Sequence, residues 1–309
     1  MKLSPSSSAT LSALSSSTSK LFLTGATVGP IVDSLHNQCL LQYDIAPISL
    51  EIPPSLSSLV TTSMSHDYFF CSSWTVPPLL GIAYVVLGGL LPKFFKWLLK
   101  QPVEEKHQHH QVPQTQTVKS DGPALRSRAF LAVGSTAIII KLSEYLETHP
   151  HVTDNILPVL NQSEAHLAVM IVAALSQWLI LDRTLIALLV ATITAIGGPL
   201  SELPFVAYGF WEYLDQASDY LPLAGIDNNG LLQSFLGENY QQLALSSITG
   251  PCYFAVTTDA IALGRWFDFQ SREKEIWQPY QSQTHWKVVH NRRWVILETL
   301  DLLQIDDLY

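Results

Sequence analysis

The sequence predicts an all-α integral membrane protein, a six-transmembrane-helix bundle with both termini cytosolic, on three observations. Segments 74–92, 165–181 and 184–200 contain no Lys, Arg, Asp or Glu, and each approaches the roughly 20 residues that a helix needs to cross about 30 Å of hydrocarbon. Sixteen of the seventeen Lys and Arg residues fall on one side of the threading that these segments impose, Lys141 being the exception. Charged residues make up only 14% of the chain, against about 25% in a soluble domain.

Residues 1–20 are Ser-rich and acid-free, with Lys2 and Lys20 as their bases. The scarcity of Arg favours a tail over an organellar targeting peptide, which is also Ser-rich and acid-poor. Span one, 21–37, is interrupted by Gly25, Gly29 and Pro30 and carries Asp33. Cys39 and Cys71 share the loop that follows, 38–73, and can form a disulfide in an oxidising compartment. Span two, 74–92, leads into a connection at about 93–125 whose Gln- and His-rich centre has no apolar periodicity and is expected to be disordered. His107, His109 and His110 lie there without the Cys or carboxylate pattern that completes a metal site.

Span three, 127–146, carries Lys141 and Glu144, and Asn161 in the next loop opens a glycosylation sequon. Spans four and five, 165–181 and 184–200, are joined by Asp182 and Arg183. Span six, 246–264, carries Cys252 and Asp259. Residues 21–266 thus form the membrane domain, and 267–309 form a cytosolic tail. The tail ends in an amphipathic helix with Trp294, Leu297, Leu300 and Leu303 at helical spacing.

Orientation follows from the loops. Those at 38–73, 147–164 and 209–245 have no Lys or Arg yet hold Glu147, Asp154, Glu212, Asp215, Asp219 and Glu238. Basic residues held to the other side mark it as cytosolic. A net charge of −9 without a basic stripe excludes nucleic acid as a partner. The sequence has no Gly-x-Ser-x-Gly elbow, phosphate loop or His pair on a secure span, so it supports neither an enzyme nor a cofactor.

Charged groups at membrane depth cost about 3 kcal/mol each on insertion scales and therefore seek partners inside the bundle. Lys141 can pair with Asp33 or with Glu144, which is one turn away on the same face. Asp259 has only Arg265 or Arg183 to reach it, and a neutral carboxyl donating a hydrogen bond is expected there. A small transporter or channel lined by Asp33, Lys141 and Asp259 is the alternative function.

Several short motifs then fall in order on this threading. Trp178-Leu179-Ile180-Leu181-Asp182-Arg183 closes span four, Trp74-Thr75-Val76-Pro77-Pro78 opens span two, and Lys141-Leu142 lies in span three. Tyr208-Gly209-Phe210-Trp211-Glu212-Tyr213 leaves span five, while Pro251-Cys252-Tyr253-Phe254 and Leu263-Gly264-Arg265 begin and end span six. In these motifs the chain resembles the Insig (insulin-induced gene) family of endoplasmic reticulum membrane proteins over roughly residues 20–266.

The resemblance implies a non-catalytic protein that binds a sterol or related lipid. It also implies retention of partners with a sterol-sensing domain, namely the escort protein of sterol-response transcription factors and HMG-CoA reductase. It makes Asp182, with Arg183 beside it, the partner-binding position. Trp178 would face a sterol crevice between spans three and four, although Trp178 with Arg183 also reads as an interfacial aromatic anchor beside a topology-setting Arg. Gln177, polar inside its span, is expected to face the bundle or a ligand hydroxyl.

Overall fold

The structure, a computed structural model, describes residues 5–35, 40–51, 68–99, 115–154, 157–226 and 229–290. Among these the helices are α1 (Pro5–Asp33), α2 (Val76–Leu98), α3 (Thr115–Thr148), α4 (Gln162–Leu181), α5 (Leu185–Ala207), the short α6 (Gly230–Leu236) and α7 (Thr249–His290). Four strands accompany them: β1 (Leu41–Tyr43), β2 (Pro47–Glu51), β3 (Tyr68–Ser73) and β4 (Trp211–Tyr213).

Local chemistry places the helix ends. Pro77 falls in the first turn of α2, where its fixed φ suits a helix start. That helix widens into a π turn at Val86–Leu90, just ahead of Pro92, which has no N–H to return to the Gly88 carbonyl. Helix α4 opens on a capping box: Asn161 Oδ1 accepts from Glu164 N at 2.9 Å, and Glu164 Oε2 accepts from Asn161 N at 3.2 Å. Thr184 caps α5 by accepting from Ala187 N at 3.3 Å.

Helix α7 is the hub, packed against α1, α2, α3, α4 and α5. It can be central because its buried face is built from small residues, including Ala255, Thr257, Thr258 and Ala260. A Cβ added at Gly264 would lie 2.1 Å from the Gly88 oxygen, and one at Gly88 would lie 2.2 Å from the Ala260 oxygen. Backbones therefore meet directly there, as small residues allow between membrane helices.

Outward faces are apolar, with Ile138 70%, Ile180 73% and Ile196 65% exposed. Continuous apolar exposure on that scale suits lipid rather than water. Among the described residues four helices are long and apolar enough to cross a membrane: Val76–Leu98, Gly122–Thr148, Gln162–Leu181 and Leu185–Ala207. The expected count of six rests, beyond these, on α1 and α7, which carry Asp33 and Asp259.

At the end opposite the basic residues, the connections expected as loops contain the four strands. Strand β1 pairs antiparallel with β4, placing Leu41 opposite Tyr213 and Tyr43 opposite Trp211. These four residues point inward and close a core with Val76, Leu203, Leu236, Tyr240 and Leu245. Strands β2 and β3 form a second antiparallel pair.

Boundaries also shift. Helix α1 begins at Pro5, so most of the Ser-rich segment expected as a separate tail is continuous with span one. Helices α2 and α3 shorten the 93–125 connection from both sides, and its three His lie outside the described residues. Helix α7 runs on to His290 past the expected boundary at 266, while the amphipathic segment beyond it lies outside the described residues.

Candidate functional site

The joint between α4 and α5 concentrates polar contacts. Helix α4 ends at Leu181, and Arg183 adopts a φ of 61°, the left-handed value that turns the chain back. Arg265, reaching across from α7, donates Nη1 to Asp182 Oδ2 and Nη2 to Thr184 Oγ1, the latter at 3.0 Å. The Thr184 amide donates to Asp182 Oδ1 at 2.9 Å, and its hydroxyl donates to the same oxygen. Both Asp182 oxygens are thus occupied within the chain, and the side chain is only 3% exposed. Arg183 points outward, its Nε donating to the Leu179 carbonyl.

Trp178 and Gln177 diverge. Trp178 donates Nε1 to the Thr184 carbonyl at 3.1 Å and packs against Ile186, Ala187 and Val190 of α5 and Ile261 of α7. It therefore faces α5 and α7, not the crevice between α3 and α4 that the family resemblance implied. Gln177 is the residue that faces α3: its Nε2 donates to the Ala132 carbonyl at 3.1 Å and to Thr136 Oγ1 at 2.8 Å. Its Oε1 is buried and has no hydrogen-bond partner among the described residues.

Thr136 extends this polar layer by donating to the Ala255 carbonyl of α7 at 3.2 Å. One turn on, Asp259 is completely buried, and its Oδ2 accepts from Tyr84 Oη at 3.3 Å. Tyr84, not Arg265 or Arg183, is the partner that the sequence reading lacked for Asp259.

Tyr84 also lines a cavity of about 90 Å³, counted as room for the centre of a water molecule, at the strand-capped end of the bundle. Two carboxylates line it, Asp33 from α1 and Glu202 from α5. Asp33 Oδ2 accepts from Tyr43 Oη at 2.7 Å. Glu202 accepts from Tyr253 at 2.7 Å on Oε1, and from Tyr213 at 2.6 Å and Trp211 at 3.3 Å on Oε2. Burial pushes the Tyr213 hydroxyl well above its usual range and the adjacent Glu202 adds to it, so this tyrosine stays a donor.

Lys141 does not reach Asp33: it pairs with Glu144, the i,i+3 alternative. The three charges of the transporter alternative therefore do not converge, with Asp33 at the cavity, Asp259 behind Tyr84 and Lys141 paired along its own helix. Asn161 is exposed and serves as the cap of α4. Cys71 sits on β3, its thiol raised above the ordinary value by burial and by Asp33; Cys39 lies outside the described residues.

Glu202, Tyr84 and the Arg265 latch escaped the sequence reading. Glu202 stands just past residue 200, where span five was ended, although Pro199 and Pro204 do not break the helix. Asn161 with Glu164 three residues on was a legible capping signal.

Apolar helices with lipid-suited faces, and polar groups gathered between them, define a multi-pass membrane protein. The chain belongs to the insulin-induced protein (INSIG) family, whose family model matches residues 16–244. It is similar to the crystal structure of a mycobacterial Insig homolog, MvINS from Mycobacterium vanbaalenii. That likeness has 18% identity, covers 81% of this chain and 92% of that one, and has a TM-score of 0.45. A cross-linked MvINS trimer is similar at 18% identity, over 82% and 94% of the two chains, with a TM-score of 0.47. No curated protein matches the chain.

Proposed function

We propose that this chain is a non-catalytic, sterol-regulated binding protein of the endoplasmic reticulum membrane, crossing it six times with both termini cytosolic. It retains or targets polytopic partners with a sterol-sensing domain, of the escort-protein and HMG-CoA reductase kinds, and so regulates sterol synthesis. Family membership supports a membrane role in sterol regulation.

The observation that carries the reading is the Asp182 latch. A carboxylate held by Arg265 and Thr184 at a helix joint is an acceptor whose donors a partner helix can replace with like chemistry. Arg183, exposed beside it, supplies a second contact. Gln177 offers its unpartnered Oε1 to a lipid hydroxyl. The end of α4 that carries Gln177 is tied to the joint by Trp178, which packs on α5 and α7 and donates to the Thr184 carbonyl. Sterol and partner each favour the same arrangement, so each raises the other's affinity.

Two experiments test this. Asp182→Ala, co-expressed with a sterol-sensing-domain partner, loses co-purification while its own expression is intact; retained association removes Asp182 from the role. The purified chain binds radiolabelled sterol saturably and in competition with unlabelled sterol, and non-saturable uptake would sink the sterol assignment.

A further inference from the structure

We propose that a groove between α2 and α7, at the basic end of the bundle, binds the headgroup of an anionic phospholipid bearing a phosphate monoester. Helical spacing creates the groove. Gly89, Lys93, Lys96 and Trp97 share one face of α2, and Ile261, Gly264, Arg265, Asp268 and Arg272 share one face of α7. Because Gly88 and Gly264 bring the two backbones into contact, the longer side chains beyond them splay around a space of about 490 Å³.

Charge in the groove is lopsided. Lys93 is paired with Asp268 at 3.3 Å, and Arg265 is engaged by Asp182. Lys96 and Arg272 are exposed, and neither has an acidic partner among the described residues. Two uncompensated cations match the roughly 1.5 to 2 negative charges of a phosphate monoester. The groove opens beside Phe94, Trp97 and Leu98, which are 49%, 73% and 52% exposed. An apolar rim with an indole suits the depth at which acyl chains meet headgroups, and a soluble anion would have no use for it. Polybasic segments at a membrane edge attract such lipids. The proposal does not depend on sterol or partner binding.

The test uses the full chain in phosphatidylcholine nanodiscs, titrated with dioctanoyl phosphatidic acid, dioctanoyl phosphatidylcholine or inorganic phosphate and read by native mass spectrometry. Phosphatidic acid should bind saturably, roughly tenfold or more tighter than either other probe. Lys96→Gln with Arg272→Gln should weaken it by about tenfold, whereas Arg126→Gln with Arg128→Gln, at the same end but outside the groove, leaves it unchanged. Lys96→Glu is the second variant and should weaken binding further by repulsion. Equal binding of phosphatidylcholine, equal losses in the two double variants, or unchanged affinity in Lys96→Glu would each overturn the site. Inorganic phosphate binding as tightly as phosphatidic acid would overturn its assignment to a lipid.

Discussion

Glu202 gathers one tyrosine on one oxygen and a tyrosine with a tryptophan on the other, in a site only 8% exposed. Glu202→Ala removes the acceptor of three donors, of which Tyr213 keeps Thr249 Oγ1 at 3.2 Å, and unsatisfied buried groups cost about 1–3 kcal/mol apiece before relaxation. We expect a loss of about 3 kcal/mol or more, measured as a fall in the thermal unfolding midpoint in detergent, with Glu202→Gln losing less because it keeps one acceptor. Arg265→Ala leaves the Asp182 carboxylate without its cation and should cost about 2 kcal/mol in the same assay, less than a fully buried pair because Arg265 is 33% exposed. Neither arrangement was legible in the sequence: the donors to Glu202 come from residues 211, 213 and 253, and Arg265 lies 83 positions from Asp182. Long-range pairing of polar groups leaves no periodic trace. The Lys141–Glu144 pair was legible as one of two options because both partners lie on one turn.

At the scale of elements, glycines divide by what surrounds them. Gly264→Ala would drive a methyl into the Gly88 carbonyl, so α2 and α7 must part, and we expect a cost of about 1–3 kcal/mol as for other overpacked contacts. Gly134 and Gly197 have nothing within 4 Å of an added Cβ, so Ala there should be neutral or stabilising by up to about 1 kcal/mol. Parallel thermal unfolding of the three variants distinguishes the cases, and equal effects would refute the close contact. Long helices were legible because a charge-free apolar run sufficient to cross a bilayer has few other readings. The strands were not, since segments such as Trp211–Tyr213 and Leu41–Tyr43 are three residues long and find partners only across the fold. Helix α7 was legible only up to residue 264, because the polar sequence that follows carries the same helix onward without an apolar signal.

For the whole molecule, the sorting of basic residues makes a sharp statement about topology. Protease added to sealed microsomes should cut within 100–114, the His-bearing connection, while the 214–245 region stays protected until detergent is added. The reverse pattern would invert the bundle and move the Asp182 joint and the basic groove into the lumen. Family membership was legible from short motifs in a fixed order, and it is the family that the comparison of residues 16–244 establishes.

Helix α7 is clamped at two levels. At its start Gly250 would place a Cβ 2.8 Å from the Ala195 oxygen, and about four turns further on Gly264 abuts Gly88. A rod gripped by main chain at both heights cannot turn about its own axis, so news of an occupant at one mouth cannot travel along it as torsion. It can be passed only by prying the rod away from a neighbour as a unit. Packed contacts of this sort hold or give way but do not flex gradually, so any crosstalk between the two clamped heights should switch in a single step.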